Sequence, residues 1–210
     1  MLAMALATAA SALSIFAIIR DPPRAATTHA AGLVAGLRTI VTMRALWPLL
    51  PLTAVGYSAL LAERGLWAGP YFAEVHGLDP VARGNSLLLM AAAMSAGALI
   101  YGPLDRLFET RKWVVAAGSL GTAACFLALA TIDLSIAGAT IVMALLGAFG
   151  MTYGVLMAHG RSLFPDHLLG RGITFLNVLF IGGAGVMQPL TGAMMTSLVS
   201  LPPSAAFARL

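Results

Sequence analysis

The chain has 210 residues, of which 60% are hydrophobic and 10% charged, and its formal net charge is +4. Soluble domains carry about a quarter of charged residues, so a soluble fold of this size could not bury so much apolar surface. The composition therefore predicts an integral membrane protein. Because the basic residues fall in short clusters between apolar runs, they indicate membrane topology and no nucleic-acid partner.

Six apolar segments meet or approach the ~20 residues that a helix needs to cross ~30 Å of hydrocarbon. They predict an all-α, polytopic membrane helix bundle with about six transmembrane helices. In chain order the segments are 1–19, 45–72, 86–104, 113–132, 134–158 and 173–201. The chain thus divides into a first transmembrane helix (1–19), a cytoplasmic linker (20–44), a five-span bundle (45–201) and an outer segment (202–210).

The segments between these spans alternate in charge. Nine of the twelve basic residues fall on one side of the spans: Arg20, Arg24, Arg38, Arg44, Arg106, Arg111, Lys112, Arg161 and Arg171. The positive-inside rule makes that side cytoplasmic and puts the N-terminus outside. A first span that starts outside without a leader, and a last helix broken at Pro202-Pro203, lead us to expect a fragment of a longer carrier.

Three stretches resemble the second half of a major facilitator superfamily transporter. "GLWAGPYF" (65–72) resembles the outer end of that family's seventh helix, and "GPLDRLFETRK" (102–112) the charged signature between its eighth and ninth helices. "GRGITFLNVLFIGGAGVMQPLTG" (170–192) is similar to its eleventh helix and the preceding loop. The resemblance implies helices six to eleven of twelve, without the first five and the twelfth. It also implies a multi-pass protein of the cell membrane, a bacterial inner membrane, that transports a small solute by alternating access.

The charged stretch is carried over as a gating loop of four residues: Asp105, Arg106, Arg111 and Lys112. In the resembled family this loop helps to latch the cytoplasmic side. Unlike the family pattern, the present stretch has no glycine between Arg106 and Arg111. A plain topology loop is the alternative, and the basic residues alone would serve it, because acidic residues contribute little to orientation.

Asn177 and Gln188 are eleven residues apart, about three helical turns, so they share one face of the last span. Polar amides at membrane depth are expected to face protein or a water-filled cavity. The pair therefore predicts either a wall of the substrate cavity or hydrogen bonds between helices.

Glu63 and Arg64 interrupt the second span, and ionisable residues within a span indicate a functional site. Counted from Ala45, Glu63 lies ~27 Å along the helix, near the outer edge of a ~30 Å core. One interpretation is a charged pair at the outer interface. The other is that Glu63 faces the substrate cavity and carries a coupling proton, while Arg64 binds or counterbalances an anionic group.

The chain contains no H-E-x-x-H, G-x-S-x-G, P-loop or paired-cysteine motif, so we expect neither an enzyme, a metal site nor a cofactor. Two functions remain. The first is secondary transport of an unidentified small solute, with proton coupling, by a bundle that pairs with an N-terminal half or a second copy. The second is a helical membrane scaffold or assembly subunit that transports nothing.

Overall fold

A computed structural model describes residues 2–18 and 32–210 of the chain, which belong to two separate units. In the first unit, helix α1 (Leu2–Ile18) is apolar and 17 residues long, or ~26 Å. The predicted span 1–19 is therefore helical over its described part. The remainder of that prediction (residues 1 and 19) and linker residues 20–31, with Arg20 and Arg24, lie outside the described residues.

The second unit contains helices connected by short turns. They are α2 (Leu33–Thr42), α3 (Leu49–Ala62), α4 (Ala68–Glu74), α5 (Pro80–Leu107), α6 (Arg111–Thr131), α7 (Ile136–Phe149), α8 (Tyr153–Leu163), α9 (Leu169–Ser197) and α10 (Pro203–Ala208). A π-helical turn, Glu63–Trp67, joins α3 to α4 without a break, and a 3-10 turn, Gly150–Thr152, joins α7 to α8.

Five helical segments of this unit are long and apolar enough to cross a membrane. They are Arg44–Glu74, Pro80–Leu104, Arg111–Thr131, Ile136–Leu163 and Asp166–Ser197. The predicted all-α bundle is confirmed, and each of its five predicted spans matches one of these segments with ends shifted by a few residues. Length and composition thus define a multi-pass helical membrane protein.

Two close helix pairs, α3 with α9 and α5 with α7, form the core of the bundle, and the two helices of each pair run in the same direction. In one pair, α9 approaches α3 so closely that a Cβ atom on Gly183 would collide with the Ala54 carbonyl. In the other, a Cβ on Gly97 of α5 would lie 2.5 Å from the Ala148 carbonyl of α7. Glycine lets such backbones meet, as in other membrane helix pairs.

Opposite charges gather at the two ends of the bundle. At the basic end, the α5–α6 connection lies against the last turns of α8, because Arg111 donates to Ala158 and Ser162. The described basic residues of this end are Arg38, Arg44, Arg106, Arg111, Lys112, Arg161 and Arg171. The opposite end contains the α4–α5 and α6–α7 connections and α10, with the acidic residues Glu74, Asp79 and Asp133 and the basic residues Arg83 and Arg209.

Two short helices lie in segments for which no helix was predicted. Helix α2 lies in the linker, and its buried Ile40 packs in one apolar cluster with Leu46 and Phe164. Helix α10 lies in the outer segment and begins at Pro203, directly after Pro202. Neither helix is long enough to span a bilayer, so a search for ~20-residue apolar runs cannot detect them.

Two spans contain residues that can interrupt a helix. Helix α9 is nevertheless continuous through Gly183 and Pro189. Pro48 and Pro51 lie before and within the first turn of α3, where a proline costs little. The irregular backbone lies instead at Glu63–Trp67, immediately before Pro70, whose missing N–H removes one bond of the regular helical ladder.

Candidate functional site

Three aromatic rings and one amide meet in the middle of the bundle. Tyr57 of α3, Tyr153 of α8 and Phe180 of α9 stack with ring centroids 4.2 to 5.3 Å apart. The Tyr153 hydroxyl donates a 2.8 Å hydrogen bond to Oδ1 of Asn177. We call these four residues the aromatic–amide cluster. It places polar atoms from three helices inside an apolar bundle.

The backbone around this cluster explains how its side chains come together. Met151 has φ −79° and ψ 23°, which is not helical, so α8 starts in a new direction at Tyr153. On α9, the Phe180 carbonyl accepts a 3.2 Å hydrogen bond from the buried Ser58 hydroxyl of α3. The kink in the fourth span and the close α3–α9 contact thus bring residues from three helices to one point.

Asn177 and Gln188 lie on the same side of α9, as predicted from their spacing. Asn177 is half-buried and bonded to Tyr153. The Gln188 amide lies next to the π-helical turn, with Nε2 3.9 Å from the position that a Cβ on Gly65 would take. The sequence left two alternatives for the amides, a cavity wall or hydrogen bonds between helices. Asn177 makes a hydrogen bond of the second kind, between α9 and α8.

A cavity of about 360 Å³ lies beside Glu63, further toward the opposite end. Its lining includes Glu63, Trp67, Tyr71, Phe126, Thr191 and Phe207, and we call it the Glu63 cavity. The indole Nε1 of Trp67 donates a 2.9 Å hydrogen bond to Oγ1 of Thr191, which fixes the ring against α9. The cavity thus has a carboxylate on a mostly apolar and aromatic wall.

The π-helical turn places Glu63 and Trp67 together on this wall. The Ala68 amide donates to the Glu63 carbonyl, five residues back instead of four. Such turns are rare and are frequent at functional sites. Arg64, the neighbour of Glu63, is exposed and does not line the cavity. The structure therefore separates the two residues: Glu63 lines a cavity, and Arg64 does not.

A second cavity, of about 470 Å³, continues from the Glu63 cavity to the opposite end. The two have four lining residues in common: Tyr71, Leu129, Ala130 and Ala208. The second cavity, which we call the mouth, is also lined by His76, Asp133 and Ser204. Nε2 of His76 lies 3.4 Å from the Tyr71 hydroxyl, and burial lowers the pKa of this imidazole.

The predicted gating loop forms the turn between α5 and α6. Asp105 and Arg106 lie in the last turns of α5, and their side chains are outside the described part of the structure. Arg111 bonds within the bundle, with Nη1 3.3 Å from both the Ala158 carbonyl and the Ser162 hydroxyl. Glu109 has φ 50°, the left-handed conformation that glycine usually takes after a helix.

A third cavity, about 540 Å³, lies among α5, α6 and α7. No charged side chain lines it, and the hydroxyl of Tyr101 is already bonded to the Phe149 carbonyl at 3.1 Å. Its wall is apolar apart from Tyr101 and Thr110, so it offers no group for chemistry or ion binding.

The chain matches no protein-family model, no curated protein and no solved structure. Among the described residues, no three His, Cys, Asp or Glu side chains come close enough to hold a metal ion. The fold and its polar interior residues therefore define the chain as a multi-pass helical membrane protein with a carboxylate-bearing cavity. Sequence reasoning identified Glu63 and Asn177, but not the Tyr153 hydrogen bond or the mouth, because both depend on distant helices.

Proposed function

We propose that this protein is one helical bundle of a secondary active transporter, of the major facilitator type, that moves a small solute by alternating access. The observation that carries the proposal is the Glu63 cavity within the apolar α3–α4 span. Ionisable residues within a span are costly and usually serve transport, proton relay or ligand binding. A scaffold subunit gains nothing from such a residue beside empty space.

The aromatic–amide cluster supports the same function. Substrate sites of secondary transporters lie near the bilayer midplane, and Tyr57, Tyr153 and Asn177 lie between the basic end and the Glu63 cavity. These side chains come from helices α3, α8 and α9, so a movement of these helices would change the cluster. On this proposal the basic end faces the cytoplasm of a bacterial cell, by the positive-inside rule.

Alternating access needs two bundles that rock about a shared site. The proposal therefore includes a second bundle, either a separate N-terminal half or a second copy of this chain. The gating loop would then latch the two bundles at the basic end. For Arg111 the latch must compete with its bonds to α8, whereas the neighbouring Lys112 is exposed.

Counterflow in proteoliposomes tests the proposal directly. Vesicles with the full chain, at several protein-to-lipid ratios, are loaded with one solute of a four-member panel: benzyltrimethylammonium, benzylsulfonate, glucose or alanine. We expect labelled solute to enter faster when the same unlabelled solute is inside, for one class of the panel. If two copies form the carrier, the rate per protein rises with protein density.

Two variants connect such flux to the structure. Asn177→Leu is expected to reduce counterflow at least tenfold, because it removes the amide beside Tyr153, whereas Asn85→Leu, on the exposed surface of α5, should leave it unchanged. Asp105→Asn should slow net flux while insertion stays normal if the gating loop is a latch. Entry of all four solutes at the rate of protein-free vesicles, at every density, would favour the scaffold instead.

A further inference from the structure

The Glu63 cavity combines a carboxylate with aromatic side chains, and this combination selects one class of ligand. Resting on the proposed function, we propose that the cavity binds a small hydrophobic organic cation, with the Glu63 carboxylate as its counter-ion. The ligand would carry a permanent or protonated ammonium group and about one ring.

The Glu63 carboxylate is available to a ligand. Glu63 is half-buried, and with the described residues it makes neither a hydrogen bond nor a salt bridge. Arg64 is exposed and turned away from the cavity wall. No Lys or Arg of the described chain lines either the cavity or its mouth. An unpaired carboxylate at membrane depth is costly, so a positively charged ligand is the natural partner.

Aromatic rings line the same cavity. Phe207 packs edge-to-face on Trp67 and on Tyr71, with centroids 6.2 and 5.6 Å apart. The hydrogen bond from Trp67 to Thr191 holds the indole in place. A cation within about 6 Å of a ring centroid is attracted by the negative face of the ring, and aromatic cages bind quaternary ammonium groups in this way. The cavity therefore offers both a charge and a fitting surface.

A bare metal ion is not the preferred ligand of this cavity. Calcium takes six to eight oxygen ligands, and magnesium needs six in near-octahedral geometry. Beyond Glu63, the polar groups on this wall include the Thr191 hydroxyl, which already accepts from Trp67 and lies within bonding distance of the Met187 carbonyl. The volume of about 360 Å³ suits a small organic molecule.

A route leads into the Glu63 cavity from the opposite end of the bundle. The mouth connects the opposite end to the Glu63 cavity, because the two cavities share four lining residues. Asp133 lies on the wall of the mouth. A carboxylate at the entrance of a low-dielectric cleft raises the local concentration of cations. A cationic solute thus meets negative charge first at Asp133 and then at Glu63.

Equilibrium dialysis of the detergent-purified full chain tests the ligand class without requiring transport. The probe is radiolabelled benzyltrimethylammonium, and benzylsulfonate, which is similar in size and opposite in charge, is measured separately. We expect wild-type protein to bind the cation at least tenfold more tightly than the anion. Glu63→Gln, which keeps the shape of the side chain, should weaken cation binding at least tenfold. Glu74→Gln, an exposed carboxylate of the same span outside the cavity, is the matched control and should bind normally.

Equal cation binding by wild type and Glu63→Gln would overturn the proposal, as would the absence of cation binding or an equal affinity for the anion. If Glu63→Gln does not fold, the comparison of cation and anion on wild-type protein decides alone. Counterflow of benzylsulfonate, glucose or alanine together with failed cation binding would refute the ligand class and leave the transporter proposal intact. Cation binding without any counterflow would refute the transporter proposal and leave the ligand class intact.

Discussion

The basic end and the opposite end of the bundle are built in different ways. At the basic end two arginines contact the bundle: Arg111 bonds to α8, and the guanidinium of Arg171 lies directly over Gly36 of α2. At the opposite end the charged side chains Asp133 and Glu63 face open space, in the mouth and in the Glu63 cavity.

On the proposed function, this difference indicates the end at which a solute would enter. Basic residues that determine orientation need only remain on their side of the membrane, so they can be bonded within the bundle without loss of that role. A carboxylate that binds solute must instead remain accessible. On the proposed function, carboxylates that face open space at the opposite end are therefore expected along the route of the solute.

The largest effect on folding stability should come from the close contact between α3 and α9 at Gly183. In Gly183→Val the new side chain would collide with the Ala54 carbonyl and the Ser58 hydroxyl, so α9 and α3 must separate. We expect a loss of about 3 kcal/mol or more, the upper range for overpacking. Gly185→Val is the matched control, because no atom lies within 4 Å of a Cβ there. The readout is reaction of a thiol dye with Cys125, the single cysteine, which is buried until the bundle unfolds.

The bonded basic end can be tested at Arg111. Arg111→Met removes the hydrogen bonds to Ala158 and Ser162, and we expect it to lower the free energy of unfolding by about 1 to 2 kcal/mol. Lys112→Met, at the exposed neighbouring position, should change it by less than about 0.5 kcal/mol. Equal effects of the two substitutions in the Cys125 assay would contradict a bonded basic end.

Replacement of a glutamate by glycine should change folding stability in opposite directions at the two ends. Glu109 at the basic end has φ 50°, which costs a residue with a Cβ roughly 1 to 2 kcal/mol. Glu109→Gly removes that strain but adds backbone entropy to the unfolded chain, so we expect a gain of about 0.5 kcal/mol. Glu74→Gly, in the last turn of α4 at the opposite end, should cost about 0.5 to 1 kcal/mol. Thermal unfolding of both variants measures the signs, and a loss in Glu109→Gly would refute the strain.

The aromatic–amide cluster between the two ends allows a smaller test. Tyr153→Phe keeps the rings stacked and removes the hydrogen bond to Asn177. Hydrogen bonds between membrane helices contribute about 0.6 kcal/mol on average, and we expect a loss of that size. Tyr57→Phe, which changes a ring of the same cluster, is the comparison and should have a smaller effect on unfolding.

The smallest effect should be a pH dependence from the mouth. Burial lowers the pKa of His76 relative to the unfolded chain, where histidine titrates near ~6.5. The unfolded state therefore binds more protons below that pH, and folding stability falls as the solution is acidified through and below ~6.5. His76→Gln should reduce this slope in unfolding experiments between pH 8 and 5. An unchanged slope would place the titrating group elsewhere.

The sequence predicted the spans well because apolar length is a local property. The runs at 86–104 and 113–132 could be read as helices without knowledge of their neighbours, and the structure confirms them as parts of α5 and α6. Helix α2 was missed because its ten residues are too few for a span, and its helix shows only as an apolar face.

The site was predicted in part, for the same reason. Glu63 could be recognised because a charge within an apolar run is visible in the sequence. Glu63 lines a cavity and Arg64 does not, and this difference depends on the π-helical turn. The sequence around Pro70 does not specify that turn. The Tyr153–Asn177 hydrogen bond depends on the kink at Met151 and the close approach at Gly183, which involve residues far apart in the chain.

The central claim is that the bundle crosses the membrane with its basic end in the cytoplasm and the mouth of the Glu63 cavity outside. Single cysteines at Ser135, near the mouth, and at Thr110, in the α5–α6 turn, on a Cys125→Ala background, test it with a membrane-impermeant thiol reagent on intact cells. We predict that Ser135→Cys reacts at once and that Thr110→Cys reacts only after the cells are opened. Reaction of both from the same side, or in the reverse order, would contradict the account.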